Sequence, residues 1–229
     1  PVGILGFGTM GGGIAQVCAQ AGFHVVVLEA SDELVERGRD RIDTFLRDGI
    51  RRDKVSEENR EETLGRIRGT TDPAELAGVD LVIEAVVEEL DAKLSVLAAV
   101  AEVVGGDAVI ATNTSSLSVT ELAGGVPRPT RFAGLHFFNP AQLMQLVEVV
   151  RALQTTDETV ATVIDFSRRI GKEPVEVADR PGFLVNSLLI PYLNQVVQAY
   201  DDGLSSAEDL DLAVELGLGY PMGPLRLLA

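Results

Sequence analysis

The sequence predicts a doubly wound, mostly parallel α/β sheet followed by the start of an all-α C-terminal domain. Three observations predict it. Short apolar, β-branched runs alternate with helical segments as far as residue 180. A glycine-rich turn joins the first run to the first helix, and beyond Gly182 only helical patterns follow. We therefore expect residues 1–180 to form the first domain and 181–229 the beginning of the second.

Seven apolar runs are predicted to be strands, because β-branched residues without polar alternation suit a sheet buried on both faces. They are Val2–Leu5, His24–Leu28, Leu81–Val86, Ala108–Thr112, Phe132–His136, Leu146–Val150 and Pro174–Ala178. The predicted helices are Met10–Ala21, a charged helical interval Ser31–Arg68 with Ser31 as N-cap, Leu90–Val104, Asp157–Ile170, Phe183–Tyr200 and Ser206–Leu216.

The overall charge excludes some classes of partner. The 229 residues carry a formal charge of -16, so we expect neither nucleic acid nor a membrane surface as partner, since each demands a basic face. The single cysteine, Cys18, lies in an apolar helical stretch and indicates core packing in a reducing compartment. A cytoplasmic protein without a metal site is the expectation.

The charge is unevenly distributed along the chain. Between Arg37 and Arg68 lie ten of the 19 basic residues and eight acidic ones, so this stretch carries +2 while the rest of the chain carries -18. It is either a pair of solvated helices or an arm that meets an anionic substrate, such as a phosphate-bearing coenzyme.

The turn Gly6-Phe7-Gly8-Thr9-Met10-Gly11 matches G-x-G-x-x-G, the fingerprint of the Rossmann-type dinucleotide fold. Gly6 permits the tight turn, Gly8 lets the backbone approach a pyrophosphate, and Gly11 lets helix and strand pack closely. The next strand ends in Glu29, where a carboxylate can bond ribose hydroxyls and would repel a 2′-phosphate. The pattern predicts NAD rather than NADP.

Polar residues follow the next two strands at the edge where ligands bind in open α/β sheets. Ala85, Glu88 and Lys93 come after the strand that starts at Leu81, and Lys93 either lines the crevice or is merely solvated. The loop Asn113-Thr114-Ser115-Ser116 could donate hydrogen bonds to a nicotinamide amide or a substrate hydroxyl, or form a simple turn and helix cap.

His136 is the candidate general base, because it ends a strand and the only other histidine, His24, opens one and is assigned a structural role. Glu148 is the only charge in an apolar strand and needs a compensating donor. Paired with His136, it would set the imidazole tautomer and stabilise its protonated form. The pattern alone also allows two unrelated polar residues.

The chain resembles the L-3-hydroxyacyl-CoA dehydrogenases, including bacterial 3-hydroxybutyryl-CoA dehydrogenases. Seven motifs across its length carry the resemblance: Gly6–Gly11, Val82–Ala85, Asn113–Leu117, Leu135–Pro140, Leu146–Val149, Pro181–Asn186 and Tyr220–Pro224.

The resemblance implies reversible, NAD-dependent oxidation of a short-chain L-3-hydroxyacyl-CoA, with His136 as base and Glu148 as its partner. It implies that Ser115 and Asn186 hold substrate oxygens and that Asn139 also contacts substrate. Cofactor contacts are implied for Gly6, Gly8, Thr9, Met10, Gly11, Glu29, Ala85, Glu88, Lys93 and Asn113. The charged arm would meet coenzyme A, and a complete helical domain would form a homodimer.

Two departures from the family pattern affect these expectations. Gln142 and Gln145 stand where the family usually has a proline and a lysine, which removes a positive charge near the acyl site. The sequence also stops soon after Pro224, before the helical domain usually ends, so we expect a truncated second domain.

Two alternatives to the leading function stay open. The same chemistry could act on a hydroxyacyl group bound to an acyl carrier protein, or on a free hydroxy or sugar acid. More remotely, the chain could bind NAD without turnover.

Overall fold

The computed structural model of the chain describes residues 1–228. It contains an eight-stranded sheet in the order β3-β2-β1-β4-β5-β6-β7-β8. The strands are β1 (Val2–Leu5), β2 (Val25–Leu28), β3 (Ile67–Thr70), β4 (Leu81–Glu84), β5 (Val109–Thr112), β6 (Phe132–Phe137), β7 (Leu146–Arg151) and β8 (Glu173–Ala178). The predicted doubly wound α/β class is confirmed, with the strand order reversing next to β1.

Strands β1 to β6 run parallel, β7 is antiparallel to β6, and β8 runs parallel to β7. Strand order and the direction of β7 are not evident from the apolar runs, because a run buried on both faces has the same composition in either direction. The reversal matters for the site, since it places the start of β7 beside the end of β6.

The helices are α1 (Thr9–Gln20), α2 (Asp32–Arg51), α3 (Glu57–Gly65), α4 (Leu90–Ala101), α5 (Val119–Gly124), α6 (Asp157–Arg169), α7 (Val185–Asp201), α8 (Ala207–Leu218) and α9 (Pro224–Leu228), with short 3-10 helices at Pro73–Leu76 and Pro129–Arg131. Ser31 caps α2 as predicted, accepting a hydrogen bond from the Leu34 amide at 3.3 Å.

The prediction of a helical interval up to Arg68 is wrong at its end, because β3 begins at Ile67 and pairs with β2. The strand has the sequence Ile-Arg-Gly-Thr, whose mixed polarity suits an edge strand. The strand predicted as Leu81–Val86 ends earlier, at Glu84.

The core lies where the helices cover the sheet. Ile14 of α1 packs with Ile4 and Ile83 of the central strands, all with no exposed surface. Cys18 is in the same cluster, and burial raises the pKa of its thiol to about 12, which keeps it neutral.

The chain divides into two compact units, Pro1–Pro181 and the helical residues from Gly182 onward. The division falls one residue after the boundary predicted from sequence. Within residues 1–228, no helix is both long and apolar enough to cross a membrane.

Candidate active site

The glycine turn joins β1 to α1 at the carboxyl edge of the sheet. Gly6 has a φ of +92°, which favours glycine, and a Cβ there would lie 2.8 Å from the Ala85 carbonyl oxygen. A Cβ on Gly11 would lie 1.9 Å from the Gly6 carbonyl oxygen. A Cβ on Gly8 would meet nothing within 4 Å, so the turn faces open space there. The helix end at Gly8 has no side-chain cap, which suits an anion.

Glu29 lies just past the end of β2 and turns back toward the glycine turn. Its carboxylate accepts the Phe7 amide at 2.7 Å and the Ala30 amide at 2.7 Å. The side chain is thereby held beside the turn, in the position from which a ribose-binding carboxylate acts.

At the end of β4 and in the residues that follow lies a cluster of three charged side chains, Glu84, Glu88 and Lys93, which we call the carboxylate–lysine cluster. The Lys93 ammonium is 1% exposed and lies 2.6 Å from Glu84 Oε1 and 3.2 Å from Glu88 Oε2. The alternative of a solvated Lys93 is therefore wrong, because two carboxylates hold the ammonium beneath the surface.

Glu88 organises the loop that follows β5. One of its oxygens accepts the Thr114 hydroxyl at 2.6 Å, the Ser115 amide at 2.9 Å and the Ser116 hydroxyl at 3.0 Å, with the Ser115 hydroxyl at 3.3 Å. Partial burial opposes ionisation, but these hydrogen bonds and Lys93 outweigh it and lower the pKa of Glu88 to about 2. The loop donors predicted to serve a ligand are here directed at Glu88.

Asn113 connects this loop to the next strand. Its side-chain oxygen accepts the Phe137 amide at 2.9 Å, one residue after His136. The ends of β4, β5 and β6 are neighbours in the sheet, so Glu88, Ser115 and His136 share one edge.

His136 and Glu148 face each other across β6 and β7, where they are direct register partners. The distance from His136 Nδ1 to Glu148 Oε2 is 2.7 Å, and both side chains are buried. Phe138 packs on the imidazole with ring centroids 4.6 Å apart. Because an ionised carboxylate only accepts, a neutral imidazole in this pair donates from Nδ1 and carries its lone pair on Nε2.

After His136 the chain turns at Asn139, which is exposed. It then forms a loop that the buried Lys172 holds in place. Lys172 Nζ donates to the carbonyl oxygens of Ala141 at 2.6 Å and Met144 at 2.7 Å. Gln142, one of the two departures, donates to Gln16 of α1 at 3.1 Å, and Gln145 is exposed. Burial lowers the pKa of Lys172.

A cavity of about 590 Å³ opens between α1, α2 and the turn after His136. Arg37 and Arg41 of the charged arm line it together with Phe45, and the carboxylates Asp40 and Asp48 of the same helix line it as well. Five of the ten basic residues of the arm make ion pairs with carboxylates, namely Arg47, Arg51, Arg60, Arg66 and Arg68. Part of the arm's charge is thus neutralised internally.

The structure brings most predicted site residues to one edge of the first unit. Asn186 is instead the second residue of α7, in the second unit. Sequence reasoning missed Glu84 and Lys172 as site-forming residues. The signal for Glu84 was available, because it is the only charge in β4, as Glu148 is in the apolar run Leu146–Val150.

Comparison with known proteins gives a family for both units. The sequence profile of the 3-hydroxyacyl-CoA dehydrogenase NAD binding domain matches residues 1–180. The profile of the 3-hydroxyacyl-CoA dehydrogenase C-terminal domain matches residues 182–229.

Individual relatives match over nearly the whole chain. The probable 3-hydroxybutyryl-CoA dehydrogenase of Deinococcus radiodurans is 43% identical, over 98% of this chain and 81% of that protein. The mitochondrial hydroxyacyl-coenzyme A dehydrogenase of Sus scrofa is 43% identical, over 99% of this chain and 74% of that protein. The crystal structure of (S)-3-hydroxybutyryl-CoA dehydrogenase from Ralstonia eutropha superposes with a TM-score of 0.96 at 43% identity, over 99% of this chain and 80% of that one.

Proposed function

The chain belongs to the 3-hydroxyacyl-CoA dehydrogenase family, and we propose that it oxidises a short-chain L-3-hydroxyacyl-CoA to the 3-oxoacyl-CoA, reversibly. It is an NAD-dependent oxidoreductase. The finer proposal, a four-carbon acyl group as in 3-hydroxybutyryl-CoA, is supported by the relatives of that name.

The observation that carries the proposal is the buried His136–Glu148 pair at the sheet edge that also carries the glycine turn. With Nδ1–H donated to Glu148, Nε2 carries the lone pair that can accept the proton of the substrate hydroxyl. The positive charge that then forms on the imidazole lies 2.7 Å from a carboxylate, which stabilises it.

The residues present fit the cofactor. The open space at Gly8 and the uncapped start of α1 suit a pyrophosphate, with Gly6, Gly11, Thr9 and Met10 completing the turn. The Glu29 carboxylate suits a ribose and disfavours a 2′-phosphate. We propose Ala85, Glu88 and Asn113 as the residues that hold the nicotinamide half, with the buried Lys93 acting through Glu88. When bound, NAD supplies the ring carbon that accepts the hydride from substrate C3.

We propose that Ser115 holds the oxygen on substrate C3, on which negative charge grows as His136 removes the proton. For Asn186, which lies in the second unit, a substrate contact stays a prediction of the family resemblance. Ser115 lies on the loop that Glu88 orders, so its hydroxyl is held near the edge before substrate arrives. Asn139 is proposed to contact the acyl part. In the reverse direction the protonated His136 donates its proton to the substrate C3 oxygen, which becomes the hydroxyl as C3 receives the hydride.

The coenzyme A portion is proposed to lie against the charged arm. The 590 Å³ cavity offers the guanidinium groups of Arg37 and Arg41 for phosphates and the Phe45 ring for the adenine. A fatty acid without the coenzyme would lack these contacts.

The test is NADH absorbance during incubation of the purified chain with NAD and a set of 3-hydroxy substrates. We expect turnover with 3-hydroxybutyryl-CoA and much less with free 3-hydroxybutyrate or with the acyl group on a carrier protein. Turnover only with the free acid or the carrier-bound group would overturn the substrate proposal while leaving the dehydrogenase chemistry standing.

We also propose a cytoplasmic location and a homodimer formed through the helical unit. Sedimentation analysis measures the second, and a monomer at micromolar concentration would contradict it.

A further inference from the structure

The carboxylate–lysine cluster contains two carboxylates and one ammonium, a formal charge of one negative unit. Glu84 is fully buried and satisfied by Lys93 at 2.6 Å, by the Thr112 hydroxyl at 2.6 Å and by the Val86 amide at 2.7 Å. Glu88 is partly exposed and held ionised by Lys93 and the loop donors. Two carboxylates and one ammonium leave a net charge of one negative unit.

This charge is located at the edge where the proposed hydride transfer takes place. Glu88 binds Thr114, Ser115 and Ser116, and the adjacent Asn113 binds the amide next to His136. The cluster is therefore connected to the catalytic histidine through one loop and one hydrogen bond. In the sheet, β2 and β4 lie on opposite sides of β1. The cluster at the end of β4 is therefore separated by β1 from Glu29, which follows β2.

We propose that the net negative charge of the carboxylate–lysine cluster selects for the oxidised cofactor. The proposal rests on the proposed function, in which the nicotinamide ring lies at this edge. The ring is positively charged in NAD+ and neutral in NADH, so a fixed negative charge stabilises the first and does little for the second. A fixed unit charge near the ring in partly solvated surroundings is expected to change the ratio of the two dissociation constants roughly threefold to tenfold.

The experiment compares Glu88→Gln with the matched control Glu89→Gln. Glu89 is the adjacent residue, is exposed, and its side chain takes no part in the cluster. Dissociation constants for NAD+ and NADH are measured separately by calorimetry on each purified variant. We expect Glu88→Gln to weaken NAD+ binding roughly threefold to tenfold more than NADH binding. Glu89→Gln, whose charge is exposed and screened by solvent, should change the ratio less than about twofold.

A second variant separates charge from loop geometry. Glu84→Gln removes one negative charge from the cluster but keeps Glu88 and its bonds to residues 114–116. We expect it to shift the NAD+ to NADH ratio in the same direction as Glu88→Gln. Equal weakening of both nucleotides in the two variants, or an unchanged ratio, overturns the inference. Wild-type protein that binds neither nucleotide would instead overturn the proposed function.

Discussion

His136 and Glu148 are direct partners in the antiparallel register of β6 and β7, with Nδ1 and Oε2 2.7 Å apart. Partners in such a register point to the same face of a sheet. Both side chains are buried, so the contact is a preformed pair and needs no rearrangement of the strands.

This pair leads to the first prediction. His136→Gln should lower kcat roughly 10²- to 10⁴-fold, because the proton acceptor is lost, while the dissociation constant for NAD stays within about twofold. Glu148→Gln should also lower kcat, because an amide can still accept from Nδ1 but no longer compensates the imidazolium charge. Steady-state kinetics and NAD titration measure both. Unchanged turnover in His136→Gln would refute the assigned base.

Two glycines of the turn should differ in what they affect: Gly11 the stability of the fold, and Gly8 the binding of NAD. Gly11→Ala places a Cβ 1.9 Å from a backbone oxygen and should lower the free energy of unfolding by roughly 1–3 kcal/mol or more. Gly8→Ala meets nothing within 4 Å and should change stability by less than about 1 kcal/mol. The new methyl group would occupy the pyrophosphate space, so NAD affinity should fall roughly tenfold or more, equivalent to about 1.4 kcal/mol.

Chemical denaturation and NAD titration of the two glycine variants check this separation. A Gly8→Ala protein that binds NAD normally would show that the pyrophosphate does not approach this turn.

Lys172 should contribute to stability through the loop after His136. Its ammonium donates to two carbonyl oxygens, so Lys172→Met leaves both without that donor and should cost about 1–3 kcal/mol in the free energy of unfolding. The matched control is Lys54→Met, at an exposed lysine, which should change stability by less than about 0.5 kcal/mol. Urea denaturation of both variants is the measurement, and equal midpoints would contradict the role of Lys172.

Glu88 should make the free energy of unfolding depend on pH in the acid range. Its pKa is lowered from 4.5 to about 2 in the folded chain, so the folded state binds fewer protons than the unfolded state between these values. The stabilisation is present above pH 4.5 and is lost progressively as the pH falls toward 2. Denaturation midpoints of wild type and Glu88→Gln should therefore differ by a constant amount at neutral pH and converge in acid. A difference that stays constant in acid would show that Glu88 ionises as readily folded as unfolded.

Local patterns in the sequence were sufficient for most of the strands and helices and for the glycine turn. The strand runs at β1, β2, β5 and β6 and the cap at Ser31 depend on residues adjacent in the chain, and they lie at or within two residues of the predicted positions. The first and third glycines of the fingerprint were also predictable, because backbone sterics in one turn decide them.

Edge strand β3 was missed because its mixed polarity lacks the apolar run that predicts a strand, and its first two residues were assigned to the helical interval. Pairing with β2 alone makes it a strand. The sequence left open whether Lys93 lines the crevice or is solvated. Its burial depends on two carboxylates that the β4–α4 connection brings together.

The sequence by itself determined the class of fold, the glycine turn and the residue types for proton transfer. Only the tertiary structure decided that β7 runs against β6 in the register that joins His136 to Glu148, and that Glu88 is the acceptor for the loop after β5. The reason is physical: turns and periodicities arise from neighbours in the chain, whereas partners 12 or 26 residues apart are chosen by how the strands pair and pack.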